Sequence, residues 1–242
     1  MRQLLTALGK DHQVLVVDNG SRDGAANLDT EFPDVRMIRL PRNFGLTRAL
    51  NIGIRAAEGD YVLLLHDDVV IDGAAVTVLA AFLESRPDAG AVCPLLNSPQ
   101  IRPLPTPTKA DPVLEPATGG EEIIALCVTG AAIMLRTTFL RSLGHIDERY
   151  GNYGSEIELC AQVKSSNRKL FILRDITATH GTDPSPMQSG ALAGDRASGT
   201  AAFLGKHYGF QAGLLHSIKS SLKALVTFRL SILTGGKIDG SG

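Results

Sequence analysis

Tyr61-Val62-Leu63-Leu64-Leu65-His66-Asp67-Asp68-Val69 opens with five apolar residues and runs directly into a histidine and two adjacent carboxylates. The apolar run reads as a strand buried on both faces, as in a sheet covered by helices on each side. Asp67 and Asp68, at the strand's carboxyl end, repel each other unless something cationic joins them. Oxygen ligands at this spacing suit Mg2+ or Mn2+, which normally also take phosphate oxygens. A helix-capping aspartate is the plainer alternative.

Upstream, Val14-Leu15-Val16-Val17-Asp18-Asn19-Gly20-Ser21-Arg22-Asp23-Gly24 repeats the arrangement: an apolar strand, then a polar glycine-containing turn. Asp18 stands at the strand's carboxyl end, where open α/β sheets bind ligands, although a simple turn fits equally well. Between the two strands lies Asn43-Phe44-Gly45-Leu46-Thr47-Arg48-Ala49-Leu50-Asn51-Ile52-Gly53. Asn43 and Gly45 suit a turn, and the helix behind them offers its N-terminal amides to an anion. Arg48 and Asn51 share a helix face, so Arg48 is either a diphosphate contact or a solvated cation.

Short β-branched runs continue to alternate with helical patterns, which predicts one α/β domain with a mixed, mainly parallel sheet and helices on both faces. Strands are expected over 14–18, 35–40, 61–66, 90–95, 123–128, 131–136 and 170–174. Helices are expected over 4–8, 46–57, 73–85, 137–143, 156–164, 195–207 and 214–233. Three later stretches carry chemistry-bearing residues. Gly130, Ala131 and Ala132 are small enough to let a bulky ligand approach the backbone, or to pack a strand tightly. In Tyr153-Gly154-Ser155-Glu156-Ile157-Glu158, Glu156 sits where a loop becomes a helix and can aim into a cleft, unless it only complements the helix dipole. His180 lies just past the last expected strand.

The 242 residues suit a single core burying roughly 70% of the unfolded surface. A formal net charge of -1 argues against a dedicated nucleic-acid binder. No apolar run reaches the ~20 residues of a bilayer span, and no N-terminal signal peptide is visible. Cys93, Cys127 and Cys160 lack metal spacing and are expected as buried reduced thiols. Seven of the twelve prolines fall within 94–116, which is read as a mobile flap over a site. Residues 1–204 hold 19 Lys/Arg and 24 Asp/Glu, whereas 205–242 hold five Lys/Arg and one acid, Asp239. The last helix repeats Leu214, Leu215, Ile218, Leu222, Leu225 and Val226 at helical spacing, with Lys219, Lys223 and Arg229 interleaved. It either docks on its own domain or rests on an anionic membrane or partner.

Taken in order, these pieces resemble family 2 glycosyltransferases of the GT-A fold, over about residues 3–208, and within them a bacterial rhamnosyltransferase-like branch. The resemblance implies an inverting transferase that moves a sugar from a nucleotide-diphosphate donor (UDP-, dTDP- or GDP-linked) to a hydroxyl of a glycan or lipid-linked acceptor. It implies Asp18, Asn19, Gly20, Arg48 and Asp67 at the nucleotide, Asp68 and His180 at a divalent cation (Mg2+ or Mn2+), and Glu156 as catalytic base. Gly130, Ala131 and Glu158 are then expected at the donor or acceptor sugar. Residues 1–208 would form the transferase domain, and 209–242 a basic amphipathic tail in peripheral contact with the inner face of the plasma membrane. A cytoplasmic homodimer in cell-envelope polysaccharide synthesis completes the expectation.

Three positions depart from the family pattern. His66 stands where relatives carry the first aspartate of the acidic motif, and Glu156 where they carry aspartate. The chain also opens inside the first helix, without the strand that relatives place between the strands matching 14–18 and 61–66. An earlier natural start, another segment in the gap and a degenerate protein are three open accounts of this. The departures set up a rival reading: a non-catalytic relative that binds nucleotide or glycan, or supports an active partner.

Overall fold

The computed structural model of the protein describes residues 1–21, 28–98, 100, 104–107, 122–125, 127–144, 146–151, 153–181 and 186–233, the side chains of 122, 186–193 and 226–233 excepted. Arg22, Asp23, Gly24 and most of the proline-rich stretch 94–116 therefore lie outside the described residues.

The described chain runs α1 (Arg2–Leu8), β1 (Leu15–Asp18), α2 (Leu28–Glu31), β2 (Arg36–Arg39), α3 (Leu46–Ala56), β3 (Tyr61–Leu65) and β4 (Val69–Val70). It continues with α4 (Gly73–Ser85), β5 (Ala89–Leu96), β6 (Glu122–Ala125), β7 (Ala132–Arg136) and α5 (Thr137–Ser142). After a 3-10 turn, Glu148–Tyr150, come α6 (Ser155–Ser165), β8 (Lys169–His180), α7 (Pro186–Tyr208) and α8 (Phe210–Leu233). Local chemistry explains several boundaries. Asp72 caps α4 by accepting the Ala74 amide at 2.7 Å. In the parallel β5–β8 pair the register slips between Pro94 and Leu95, where proline has no N–H to donate to the ladder.

Twelve-residue β8 organises the larger sheet, whose order is β3-β7-β5-β8-β4 with β6 also on β8. It pairs in parallel with β5 and antiparallel with β6 and β4; β7 is antiparallel to both β3 and β5. One apolar cluster gathers Ile54, Leu64, Leu135, Leu140, Leu159 and Ile172 with α3, α5 and α6. The other gathers Leu4, Leu8, Leu79, Leu83, Val92 and Phe171 with α1 and α4. Helices thus cover both faces. Cys93, Cys127 and Cys160 are buried, and none of them is in a disulfide.

β1 and β2 stand apart as a parallel two-stranded sheet. Among the described residues β1 pairs only with β2, and β3 only with β7. No described strand takes the position that the sequence reading left empty between them. Instead α3 holds β1 in place: a Cβ on Gly53 would lie 3.4 Å from a Val17 methyl.

Candidate functional site

A cavity of about 240 Å³ opens beside the carboxyl end of β3. Its floor is apolar, with Leu46, Leu50, Leu64, Ile133, Ile146 and Leu159, and its polar wall includes His66, Glu156, His180 and Arg196. A few convergent polar groups over an apolar floor are the ordinary form of a small-molecule site.

Strand pairing assembles one side of that wall. Val69 lies opposite His180 in the β4–β8 register, so Asp68 reaches the end of β8. There the Gly181 amide donates to the Asp68 carbonyl at 2.8 Å. His180 Nε2 is 3.5 Å from Asp68 Oδ1, while its Nδ1 lies 3.1 Å from Ser98 Oγ. The His180 amide donates to Asn97 Oδ1 at 2.7 Å, fixing the backbone that carries the ring. His66 approaches from the end of β3, its amide donating to the Ala131 carbonyl at 2.9 Å. The two imidazoles meet edge to face with centroids 6.0 Å apart. Burial lowers the His66 pKa, against the opposing pull of Asp68, which leaves a ring-nitrogen lone pair available at neutral pH. Ligand atoms of His66, Asp68 and His180 all fall within 4.8 Å of one another, so the donor set fits a single divalent ion. Asp67 is exposed in the turn and is not part of this group.

Glu156 lines the same cavity. Gly154, at φ 108°, turns the chain into α6, and its amide donates to Glu156 Oε2 at 3.2 Å. Gly130 makes room for this carboxylate, because a Cβ there would lie only 2.9 Å from Glu156 Cβ. The small-residue stretch therefore admits the Glu156 side chain, rather than only leaving space for a ligand.

Two residues expected at the sugar lie outside the cavity lining. Ala131 is fully buried behind the strand end and is not among the cavity's lining residues. Glu158, 1% exposed, points away under α7. Its carboxylate accepts from Tyr150 Oη at 2.7 Å, Lys206 Nζ at 2.7 Å and Gln162 Nε2 at 3.1 Å, with His207 Nε2 at 2.8 Å. A carboxylate enclosed by four partners has no capacity left for a sugar hydroxyl. Burial pushes its pKa up, but the bonds from Lys206, His207 and Tyr150 outweigh that and leave it below the ordinary value.

Of the expected nucleotide residues, Asp18, Asn19, Gly20 and Arg48 gather around the 42–44 loop while Asp67 does not, and none of the five lines the cavity. Asp18 Oδ1 accepts the Ser21 amide at 2.8 Å. Asn19 braces the opposite loop through Asn43 Oδ1 at 2.9 Å and the Phe44 amide at 2.9 Å. Gly20, at φ 81°, is required there, since a Cβ would strike the Arg42 backbone at 2.5 Å. Arg48 stacks over Phe44 at 4.7 Å and stands 3.9 Å from the Glu148 carboxylate. The N-terminus of α3 is partly closed, because the Thr47 amide and hydroxyl both donate to the Gly151 carbonyl. Asn51 is buried rather than facing solvent beside Arg48, and exchanges bonds of 2.8 and 3.0 Å with the Ile146 backbone.

In sequence His66 stands out only as a departure from the family pattern, although imidazole is itself a common metal ligand and adjoins the acidic pair. Ser98 lies in the proline-rich stretch and carries no pattern that announces its contact with His180.

The model of the family described as glycosyl transferase family 2 matches residues 1–140. Poly-beta-1,6-N-acetyl-D-glucosamine synthase of Staphylococcus epidermidis is 33% identical over 95 residues, 38% of this chain and 22% of that protein. The chain thus spans under a quarter of that relative's length. Among solved structures, GalNAc-T7 with UDP, GalNAc and Mn2+ superposes with TM-score 0.65 at 15% identity, covering 79% of this chain and 41% of that one. S. aureus TarS 1-349 with UDP-GlcNAc gives 0.59 at 17% identity, covering 84% and 62%. The fold is the GT-A fold.

Proposed function

Since the chain belongs to glycosyl transferase family 2, we propose that it is an inverting glycosyltransferase, moving a sugar from a nucleotide-diphosphate donor to the hydroxyl of a glycan or lipid-linked acceptor. The observation that carries this reading is that Glu156 lines the same cavity as His66 and His180, the two imidazoles that gather with Asp68. A divalent cation held by that group would neutralise charge developing on the leaving diphosphate. Glu156 takes the proton of the acceptor hydroxyl, from a carboxylate aimed by the Gly154 amide. Asp18 receives the nucleotide, with Asn19 and Gly20 holding its loop in shape. Arg48, half-exposed and only loosely paired with Glu148, swings to the diphosphate. Gly130 borders the sugar, and Asp67 lies at the diphosphate side of the exposed turn.

The named relatives concern N-acetylhexosamine chemistry, whereas the sequence resemblance pointed to a rhamnosyltransferase-like branch. We carry the latter as the finer proposal, and donor binding decides it. Calorimetric titration of UDP, dTDP and GDP, each with and without Mn2+, is expected to give metal-strengthened binding of one nucleotide. With the matching donor, Glu156→Gln is expected to lower transfer by orders of magnitude while nucleotide binding persists. Transfer at the wild-type rate removes Glu156 as the base.

Residues 1–208 form the proposed transferase unit and 209–242 its attachment, at the cytoplasmic face of the plasma membrane and in a homodimer. No helix among the described residues is long and apolar enough to cross a membrane. α8 nonetheless turns Leu214, Leu215, Ile218, Leu222 and Leu225 to solvent beside Lys219 and Lys223, a peripheral-contact arrangement. The rival non-catalytic reading draws on the divided sheet. It predicts nucleotide or glycan binding without transfer.

A further inference from the structure

The motif position where the family pattern has an aspartate holds His66, and the structure brings this imidazole to Asp68 and His180. We propose that His66 is a third metal ligand, and that the resulting pair of imidazoles with one carboxylate selects a first-row transition-metal ion such as Mn2+ over Mg2+. The proposal rests on the reading above that this group serves a divalent cation, but it concerns binding and is tested without transfer.

Geometry supplies the argument. The three residues arrive on hydrogen-bonded backbone: His66 through its amide to Ala131, Asp68 through its carbonyl to Gly181, and His180 through its amide to Asn97. Ser98 Oγ engages Nδ1 of His180, which leaves Nε2 as the nitrogen on the Asp68 side, 3.5 Å from Oδ1. A partner on the far nitrogen is what orients an imidazole ligand and fixes its tautomer. All three donor atoms lie within 4.8 Å of one another, so small side-chain rotations bring them to the roughly 3 Å cis separation that metal–ligand lengths of about 2.0–2.2 Å require. Asp67 is exposed and outside the group, so among the described residues the group has one carboxylate rather than an acidic pair.

Donor type then decides the ion. Mg2+ is a hard cation that prefers oxygen ligands in strict octahedral geometry and gives up water reluctantly. Imidazole nitrogen favours first-row transition metals, whose affinity rises from Mn2+ toward Cu2+. Replacing an aspartate oxygen by an imidazole nitrogen therefore penalises Mg2+ most.

The test uses the full chain and the metals alone. Mn2+ binding is read by electron spin resonance, with Mg2+ as competitor, and nitrogen coordination by spin-echo modulation of bound Mn2+ and by the visible spectrum of bound Co2+. Wild type is expected to show nitrogen coordination. His66→Ala should weaken Mn2+ by about tenfold or more and remove one imidazole from the spectrum. His66→Asp should narrow the preference for Mn2+ over Mg2+, with thermal melting unchanged as a check on the fold. Ser98→Ala should weaken Mn2+ by roughly 10–100-fold. A wild-type Mn2+ affinity retained in His66→Ala, or an unaltered Mn2+/Mg2+ ratio in His66→Asp, overturns the proposal. Mn2+ bound through two imidazoles in a protein that takes no nucleotide supports the site and instead sinks the transferase reading.

Discussion

At position 130 a single hydrogen atom separates an open site from a blocked one. Because a methyl group on Gly130 would sit 2.9 Å from Glu156 Cβ, Gly130→Ala must push the α6 start, the Glu156 side chain or the β7 approach outward. Displacing a reacting group by about 1 Å can lower a rate by ~10²-fold. The expected outcome is a comparable fall in transfer rate, with nucleotide affinity little changed because the Asp18 loop lies elsewhere. A rate within a few-fold of wild type would falsify the view that Gly130 exists to admit Glu156. Asn51 permits a second residue-level expectation, since it is 1% exposed and satisfies both Ile146 backbone groups. Asn51→Leu leaves those groups unpaired, at about 1–3 kcal/mol each. Urea unfolding should therefore shift to a lower midpoint by a clear margin, well beyond that of an exposed substitution such as Lys164→Ala.

At the scale of elements, α6 owes its position to a buried carboxylate. Glu158 joins it to α7 through Lys206 and His207 and to the 3-10 turn through Tyr150. Asp147, 3.6 Å from Lys206 Nζ, extends the bridge and caps that turn at the Arg149 amide. Hydrogen bonding to Arg149 holds the Asp147 carboxyl at about 2, against an ordinary 3.8, and Glu158 too lies below its ordinary value. Both folded pKa values are depressed, so both groups bind protons more readily in the unfolded chain. Their stabilisation is complete above the unfolded values, roughly pH 4–5, and is lost as pH falls through the folded ones toward 2. Denaturation midpoints measured between pH 6 and 2.5 should fall on the acid side, and Asp147→Asn or Glu158→Gln should flatten that limb. Helix α8, in contrast, meets α7 through small residues. A Cβ on Gly213 would lie 2.6 Å from the Ala201 carbonyl and 3.0 Å from Gly205 Cα, which leaves the leucines outward. If that face meets lipid, Ile218→Ser with Leu222→Ser should abolish co-flotation with anionic vesicles and spare nucleotide binding.

For the whole molecule, legibility followed the length of the periodic signal. Apolar runs and helical spacing made α3, α4, β5 and β7 readable, but four-residue α2 and two-residue β4 are too short to carry a period. Yet β4 is what delivers Asp68 to His180, through a register no local pattern announces. The surroundings of Glu158 escape local pattern for a related reason: two residues from Glu156 on a helix means a different face, and its partners come from 48 and 49 positions away. Among the described residues no strand lies between β1 and β3, and the strands fall into two sheets. That division sets unequal stability. β1 and β2 form a two-stranded pair, marginal on its own, with every β1 residue only half-buried. β5 and β7 are almost wholly buried and paired on both edges. Local opening energies in one protein range from near zero to the global value. Hydrogen exchange should therefore find the β1 and β2 amides exchanging orders of magnitude faster than those of β5 and β7. Protection should rise at Val16 and Val17 when the matching nucleotide closes the Asp18 loop. Equal protection across both sheets in the free protein would mean that β1 is held by more than β2 and α3, and the divided sheet would no longer favour the non-catalytic reading.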